Sequence, residues 1–377
     1  MTERRNGEIR TLSPGREMLF ARAETELHYQ AQVYRLGERF EGLAPELAQI
    51  TMLDVTQVPG CHYGLKNIFV PLIKYLEAEK RVTPANSKLI EASTGNGWVA
   101  FSEAAQLLGY EHAVIMPDGL PETRYQHPAG RNVEIIKTPK EKYAEGMPEE
   151  LEQLTKLSFN RERIQNGARK YVSPNHAAGD EIKTNITVKA MSELGQQLLA
   201  NIGEQDEPIR VVVSMGNGAS LCALGEYVKN HTNGAKVVAT ESLPYGGGFD
   251  RFARQHNLSS YKELFGIDPG DPRLMAHFSA FGTNAPIGID MPLQNRAFDR
   301  NLIDKYELFT DNEALQAYNE LPEHMENGAK IPNTDALPRV LYETFGNSTL
   351  GNIAVAAKFT GRGERVAAMA YDDRQNY

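Results

Sequence analysis

Apolar residues along this chain fall into two alternating patterns. Short runs at Lys88-Leu89-Ile90, 112–116, Asn132-Val133-Glu134-Ile135-Ile136, Ile209-Arg210-Val211-Val212-Val213 and 236–240 are rich in β-branched residues and read as buried strands. Between them, apolar positions recur at helical spacing over 69–80, 99–108, 144–157 and 186–202, and again from the Gly216 loop to Lys229. Gly109 is placed to stop the second helix, Pro117 ends the strand that follows, and 121–124 can start another helix. Nearer the C-terminus, 314–321 and 350–359 read as helices and 365–370 as a last strand. The stretch 244–249 reads as a flexible turn and 266–292, rich in Gly and Pro, as loop. Strands alternating with helices predict an α/β fold with mainly parallel sheets. One βαβαβ subdomain runs from about 89 to 136, and a second βαβ series starts at Ile209.

Composition narrows the class without changing it. A length of 377 residues allows two domains, and 41% hydrophobic with 24% charged residues is ordinary for a globular chain. A net charge of −9 argues against nucleic acid or an anionic membrane as partner. No apolar run is long enough to span a bilayer, and the first eight residues are polar, so a cytoplasmic protein is expected. Cys61 and Cys222 have no disulfide-framework or metal-ligand spacing, and the histidines are scattered; reduced thiols and no metal are expected.

Four places carry candidate chemistry. Lys66 lies in Pro59-Gly60-Cys61-His62-Tyr63-Gly64-Leu65-Lys66, a turn before a helix that can aim an amine into a cleft; a deprotonated lysine forms Schiff bases. Ser93-Thr94-Gly95-Asn96-Gly97 follows a strand and opens a helix, where hydroxyls and backbone N–H groups can hold a carboxylate. Gly216-Asn217-Gly218-Ala219-Ser220 repeats that arrangement after a run of valines and suits a phosphate, although it has neither GK[ST] nor GxGxxG spacing. Ser348-Thr349 precedes a small-residue helix, and a hydroxyl there can meet a ring nitrogen. Each also has a plain structural reading: a solvated lysine, helix caps, a tight turn. His62 is a proton carrier or a structural histidine, and Trp98 a packing residue or a wall of the pocket.

The order of these parts resembles the fold type II pyridoxal-phosphate enzymes, the cysteine synthase and cystathionine β-synthase group. That family has a lysine in a Pro/Gly turn, a TSGNT-like loop, a GTGGT-like loop and a late serine or threonine. Lys66, Ser93 to Gly97, Gly216 to Ser220 and Ser348-Thr349 follow this order, with thirty residues from Lys66 to Asn96. Met116-Pro117, Thr240-Glu241, the SDEEA-like Thr310-Asp311-Asn312-Glu313-Ala314 and the tail 366–377 extend the similarity along nearly the whole chain.

The resemblance implies a tryptophan synthase β-like fold of two domains, each with a mainly parallel sheet flanked by helices. Residues 1–75 plus 175–377 would form the larger, phosphate-binding domain, and 76–174 a smaller, mobile one. Lys66 would hold pyridoxal 5'-phosphate as an internal aldimine and move the α-proton, while Asn96 would meet the cofactor's 3′ oxygen. Ser93, Thr94, Gly95 and Gly97 would take the substrate carboxylate, and Gly216, Asn217, Gly218, Ala219 and Ser220 the phosphate. Ser348 or Thr349 would face the pyridine nitrogen, a neutral partner suited to β-elimination. The implied reaction is β-elimination or β-replacement on serine, cysteine or an O-activated serine, through an aminoacrylate, by a homodimer in a specialised amino-acid pathway.

Gly97 and Trp98 replace the family's usual Thr and Gly, and Cys61 to Leu65 replace small polar residues, so the acceptor side of the pocket differs from an ordinary cysteine synthase. An ammonia-releasing lyase or dehydratase shares the same scaffold. A non-catalytic phosphometabolite-binding protein would need the two loops but not Lys66, and a nucleotide-dependent Rossmann enzyme would need glycine spacing that neither loop has.

Overall fold

In a computed structural model, the described residues are 12–27, 30–56, 66–79, 82–93, 96–120, 122, 125, 133–177, 179–202, 208–275, 291–326 and 330–371. Among them the strands are β1 (Gln32–Arg35), β2 (Thr51–Asp54), β3 (Ser87–Ala92), β4 (His112–Pro117), β5 (Glu134–Thr138), β6 (Lys170–Val172), β7 (Ile209–Ser214), β8 (Lys236–Ser242), β9 (Lys305–Phe309) and β10 (Arg365–Ala370). They make two sheets, flanked by helices, in two units: Met1–Tyr29 with Gly64–Ala190, and Gln30–Tyr63 with Met191–Tyr377.

This division differs from the expected one at 76 and 175, for reasons visible in the packing. Helix Pro14–Leu27 belongs with the smaller unit because Arg16 pairs with Glu77 and donates to the Leu108 carbonyl at 3.0 Å, while Tyr110 donates to Glu77 at 2.6 Å. Residues after 175 join it because the Asn175 N–H donates to the buried Glu91 at 2.9 Å. The described part of 121–124 is Glu122 alone, so the expected helix there lies outside the described residues.

The smaller unit is a four-stranded parallel sheet in the order β5-β4-β3-β6. All six residues of β4 are buried, as a continuous apolar run predicts for a strand covered on both faces. Ile90, Ala113, Ile115, Met147, Leu151 and Tyr171 form its core. Strand β6 escapes sequence reading because three residues show no period.

The larger unit is a six-stranded sheet, β1-β2-β10-β7-β8-β9, parallel except for β1 against β2. Helix Asn347–Thr360 lies almost wholly buried, and a side chain on Gly351 would meet the Phe309 ring at 2.4 Å. Close approach of helix to sheet therefore requires glycine at that position. Strands β1, β2 and β9 were not expected, nor were helices Gly247–Gln255 and Pro292–Asp299. The turn expected at 244–249 thus gives way to a helix from Gly247, and 266–292 holds a short helix, Pro272–Met275, before 276–290 leaves the described residues.

Candidate functional site

In the smaller unit, Lys66 is the first residue of helix Lys66–Ala78, and Asn96 is the first of Asn96–Leu107. The two helices pack together, with the rings of Phe69 and Phe101 5.4 Å apart edge to face. His176 links the two starts, since its ring packs on Phe69 at 5.0 Å and a Cβ on Gly97 would lie 3.7 Å from its Nε2. The fold therefore brings the Lys66 and Asn96 backbones to the same end of a helix pair. Thr94 and Gly95, with Cys61 and His62, lie outside the described residues.

The described residues of the loop expected to take a carboxylate are tightly set. The Ser93 N–H donates to the Ile115 carbonyl at 3.2 Å, fixing where β3 stops. A Cβ on Gly97 would sit 2.8 Å from Ser93 Oγ and 3.7 Å from His176 Nε2, so glycine there makes room for a hydroxyl and an imidazole. Behind the loop, Glu91 is buried, His176 Nδ1 lies 3.4 Å from its carboxylate, and the His176 ring packs on Phe69 at 5.0 Å. Trp98 is only 1% exposed and packs in the interior. Sequence reading missed His176; nothing local marks a histidine that acts across eighty residues.

In the larger unit, β7 ends at Ser214, and Gly216 to Ser220 leads into helix Ala219–His231. A thirteen-residue helix starts here, and the backbone N–H groups of a helix N-terminus suit an anion. Gly218 has φ +90, and a side chain on it would strike the Leu293 and Gln294 backbone at 2.7 Å. Gln294 donates to the Gly216 carbonyl at 2.7 Å, which pins the loop from one side. Among the described residues, a side chain on Gly216 would meet nothing within 4 Å, so they leave space beside it. Asn217 Oδ1 accepts from the Ala219 N–H at 3.0 Å, closing the turn on itself. Open space, a helix N-terminus and the Ser220 hydroxyl together fit a phosphate group.

A buried polar network underlies this loop. Ser214 Oγ and Thr240 Oγ1 donate to Asn352 Oδ1 at 2.9 and 2.6 Å, and Asn352 Nδ2 donates to the Met369 carbonyl at 2.8 Å. Ser214 Oγ also lies 3.2 Å from the Ser348 carbonyl. Thr349, fully buried, accepts from the Tyr371 N–H at 3.0 Å, whereas Ser348 is half-buried. The Thr349 oxygen thus accepts one N–H and keeps its own proton to donate, so both hydroxyls remain candidates to meet a ring nitrogen. Asn352 and Tyr371 escape sequence reading because their partners lie on elements distant in sequence.

Glu241, at the end of β8, is fully buried and accepts from the Gly248 and Phe249 N–H groups at 3.0 and 3.1 Å. Burial pushes its carboxyl up to about 7, offset in part by those N–H groups and by the Tyr306 hydroxyl. Asp311, in the SDEEA-like stretch, caps helix Asn312–Asn319 by accepting from the Ala314 N–H at 2.7 Å. Among the described residues, no His, Cys, Asp and Glu side chains gather as a metal site, and no helix is long and apolar enough to cross a membrane.

Residues 68–329 match the family described as "Pyridoxal-phosphate dependent enzyme", a span containing both loops. The chain belongs to the pyridoxal-phosphate dependent enzyme family. Its cofactor is pyridoxal phosphate, and the family is the one that the order of motifs resembles. The matched span begins two residues after Lys66 and ends before Ser348. No curated protein sequence matches the chain.

Solved structures of this family share the fold. An O-acetylserine dependent cystathionine β-synthase from Helicobacter pylori superposes with TM-score 0.65 at 14% identity, covering 93% of this chain and 95% of that one. A hydrogen sulfide-producing enzyme from Fusobacterium nucleatum gives TM-score 0.64 at 15% identity, over 93% and 96%. An O-ureido-L-serine synthase gives 0.60 at 16%, over 92% and 90%.

Proposed function

We propose that this pyridoxal-phosphate enzyme catalyses β-elimination or β-replacement on an amino acid of the serine, cysteine or O-activated serine type. When bound, the cofactor supplies an electron sink for bonds at the substrate's α carbon. Lys66 holds its aldehyde and carries the α-proton on its amine. Asn96 binds the 3′ oxygen, and Ser93, Thr94, Gly95 and Gly97 orient the carboxylate. Gly216 to Ser220 hold the phosphate. The observation that carries the reading is the family match over residues 68–329, joined by the hydroxyls of Ser348 and Thr349 in the first turn of helix Asn347–Thr360. A neutral hydroxyl opposite the pyridine nitrogen leaves that nitrogen unprotonated, which favours loss of a β-substituent over chemistry that needs a protonated ring. Relatives of the fold named for making O-ureido-L-serine and for using O-acetylserine support a serine-type substrate.

The test combines trapping and turnover. Borohydride reduction followed by peptide mass spectrometry should place a pyridoxyl group on Lys66, and Lys66→Ala should lose the yellow band expected at ~410–420 nm. O-acetyl-L-serine, L-serine and L-cysteine are then supplied with and without sulfide or a thiol. A thioether or thiol product marks replacement, whereas pyruvate and ammonia alone mark the lyase reading. A pyridoxyl group on another residue, or no turnover of any of the three, refutes the assignment.

A further inference from the structure

Helix Pro292–Asp299 holds one face of helix Ala219–His231 over its first two turns. Gly218, Cys222 and Glu226, four residues apart, share that face. A side chain on Gly218 would strike the Leu293 and Gln294 backbone, and Cys222 Sγ donates to the Leu293 carbonyl at 2.9 Å. Glu226 pairs with Arg296 at 2.6 Å and with Arg300 at 3.1 Å. The reaction above leaves this second helix without a role. Near its N-terminal end the Gln294 amide reaches the loop and donates to the Gly216 carbonyl at 2.7 Å. An amide oxygen in that place would face another oxygen, so the NH2 end is the one that meets the loop.

We propose that Gln294 is a positioning residue for the cofactor phosphate, acting by aiming the backbone N–H of Asn217. The Gly216 carbonyl and the Asn217 N–H belong to one peptide unit, which is planar and trans, so the two point in opposite directions. A donor that holds the carbonyl against helix Pro292–Asp299 therefore turns the N–H away from that helix. The Asn217 side chain folds back on its own loop, its Oδ1 accepting from the Ala219 N–H at 3.0 Å. Among the described residues the Asn217 N–H has no acceptor, and they leave space beside Gly216 for a phosphate oxygen to supply one. Glycine at 216 places little restraint on the peptide that follows it, so that unit can rotate unless something holds it. Gln294 supplies that restraint. An N–H already aimed before the dianion arrives costs no ordering when the phosphate binds.

The inference rests on the reading of Gly216 to Ser220 as the phosphate cradle. Protein stripped of cofactor is titrated with pyridoxal phosphate and, separately, with pyridoxal, which lacks the phosphate, for wild type, Gln294→Met and Gln294→Ala. Methionine keeps the length of glutamine without a donor. Both variants should bind pyridoxal phosphate about tenfold more weakly, the share of one hydrogen bond to a charged group. Both should bind pyridoxal as wild type does. An unchanged preference for pyridoxal phosphate over pyridoxal, or an equal loss for both ligands, overturns the role of Gln294, even if the apo-protein melts earlier. A wild type that binds the two ligands alike overturns the cradle itself. Should neither variant fold, wild-type protein labelled with ¹⁵N-asparagine reports instead. The Asn217 amide resonance, assigned by its loss in Asn217→Asp, must shift on adding pyridoxal phosphate and not on adding pyridoxal; no shift, or one common to both ligands, overturns the proposal.

Discussion

Replacing Glu241 by glutamine should make the protein more stable as the solution becomes more alkaline, and the structure sets the size. The carboxylate accepts two backbone N–H groups at the start of helix Gly247–Gln255 and faces the Tyr306 hydroxyl at 3.3 Å. Burial moves it from 4.5 in the unfolded chain up to about 7 in the folded one. Below pH 4.5 both states are protonated and the group costs nothing. Between 4.5 and about 7 the unfolded chain loses its proton first, so stability falls; above 7 both are ionised and the loss is complete. At 1.36 kcal/mol per pH unit, that interval is worth on the order of 3 kcal/mol. Glutamine keeps an oxygen to accept the same N–H groups but never ionises. Urea unfolding of wild type and Glu241→Gln at steps from pH 5 to 9 should show curves that nearly coincide at the acid end. The variant should then lead by about 3 kcal/mol at the alkaline end. A difference that stays constant with pH, or a variant that falls behind as pH rises, refutes the reasoning.

Two further outcomes test the larger unit. Thr349→Val strands the buried Tyr371 N–H and should cost about 1–3 kcal/mol in denaturant unfolding, while Ser348→Ala should stay within about 0.5 kcal/mol yet move the cofactor's visible band; the opposite order would reassign the two hydroxyls. Gly218→Ala forces a side chain into a left-handed residue, a strain of about 1–2 kcal/mol, and against backbone at 2.7 Å. It should raise the pyridoxal phosphate dissociation constant at least about tenfold by titration, and unchanged affinity would show that the loop does not depend on that geometry.

Much of this molecule could be read from local pattern. Strands β4, β7 and β8 are continuous buried runs, and a run of that kind makes sense only inside a parallel sheet, so class and alternation followed from the chain alone. The loops at Ser93 and Gly216 were legible because strand-to-helix turns are built from neighbours in sequence, and glycine, serine and asparagine mark them. What the chain alone could not supply is whatever depends on residues far apart meeting. The three-residue β6 and four-residue β1 and β2 carry too little pattern to see; β6 and β2 become strands against the longer β3 and β10, and β1 against β2. The N–H that Tyr371 gives Thr349, and the floor that Asn352 makes beneath the Gly216 loop by joining three strands, come from such meetings. Periodicity reports which residues are hidden from water; only the folded chain decides which buried donor finds which acceptor.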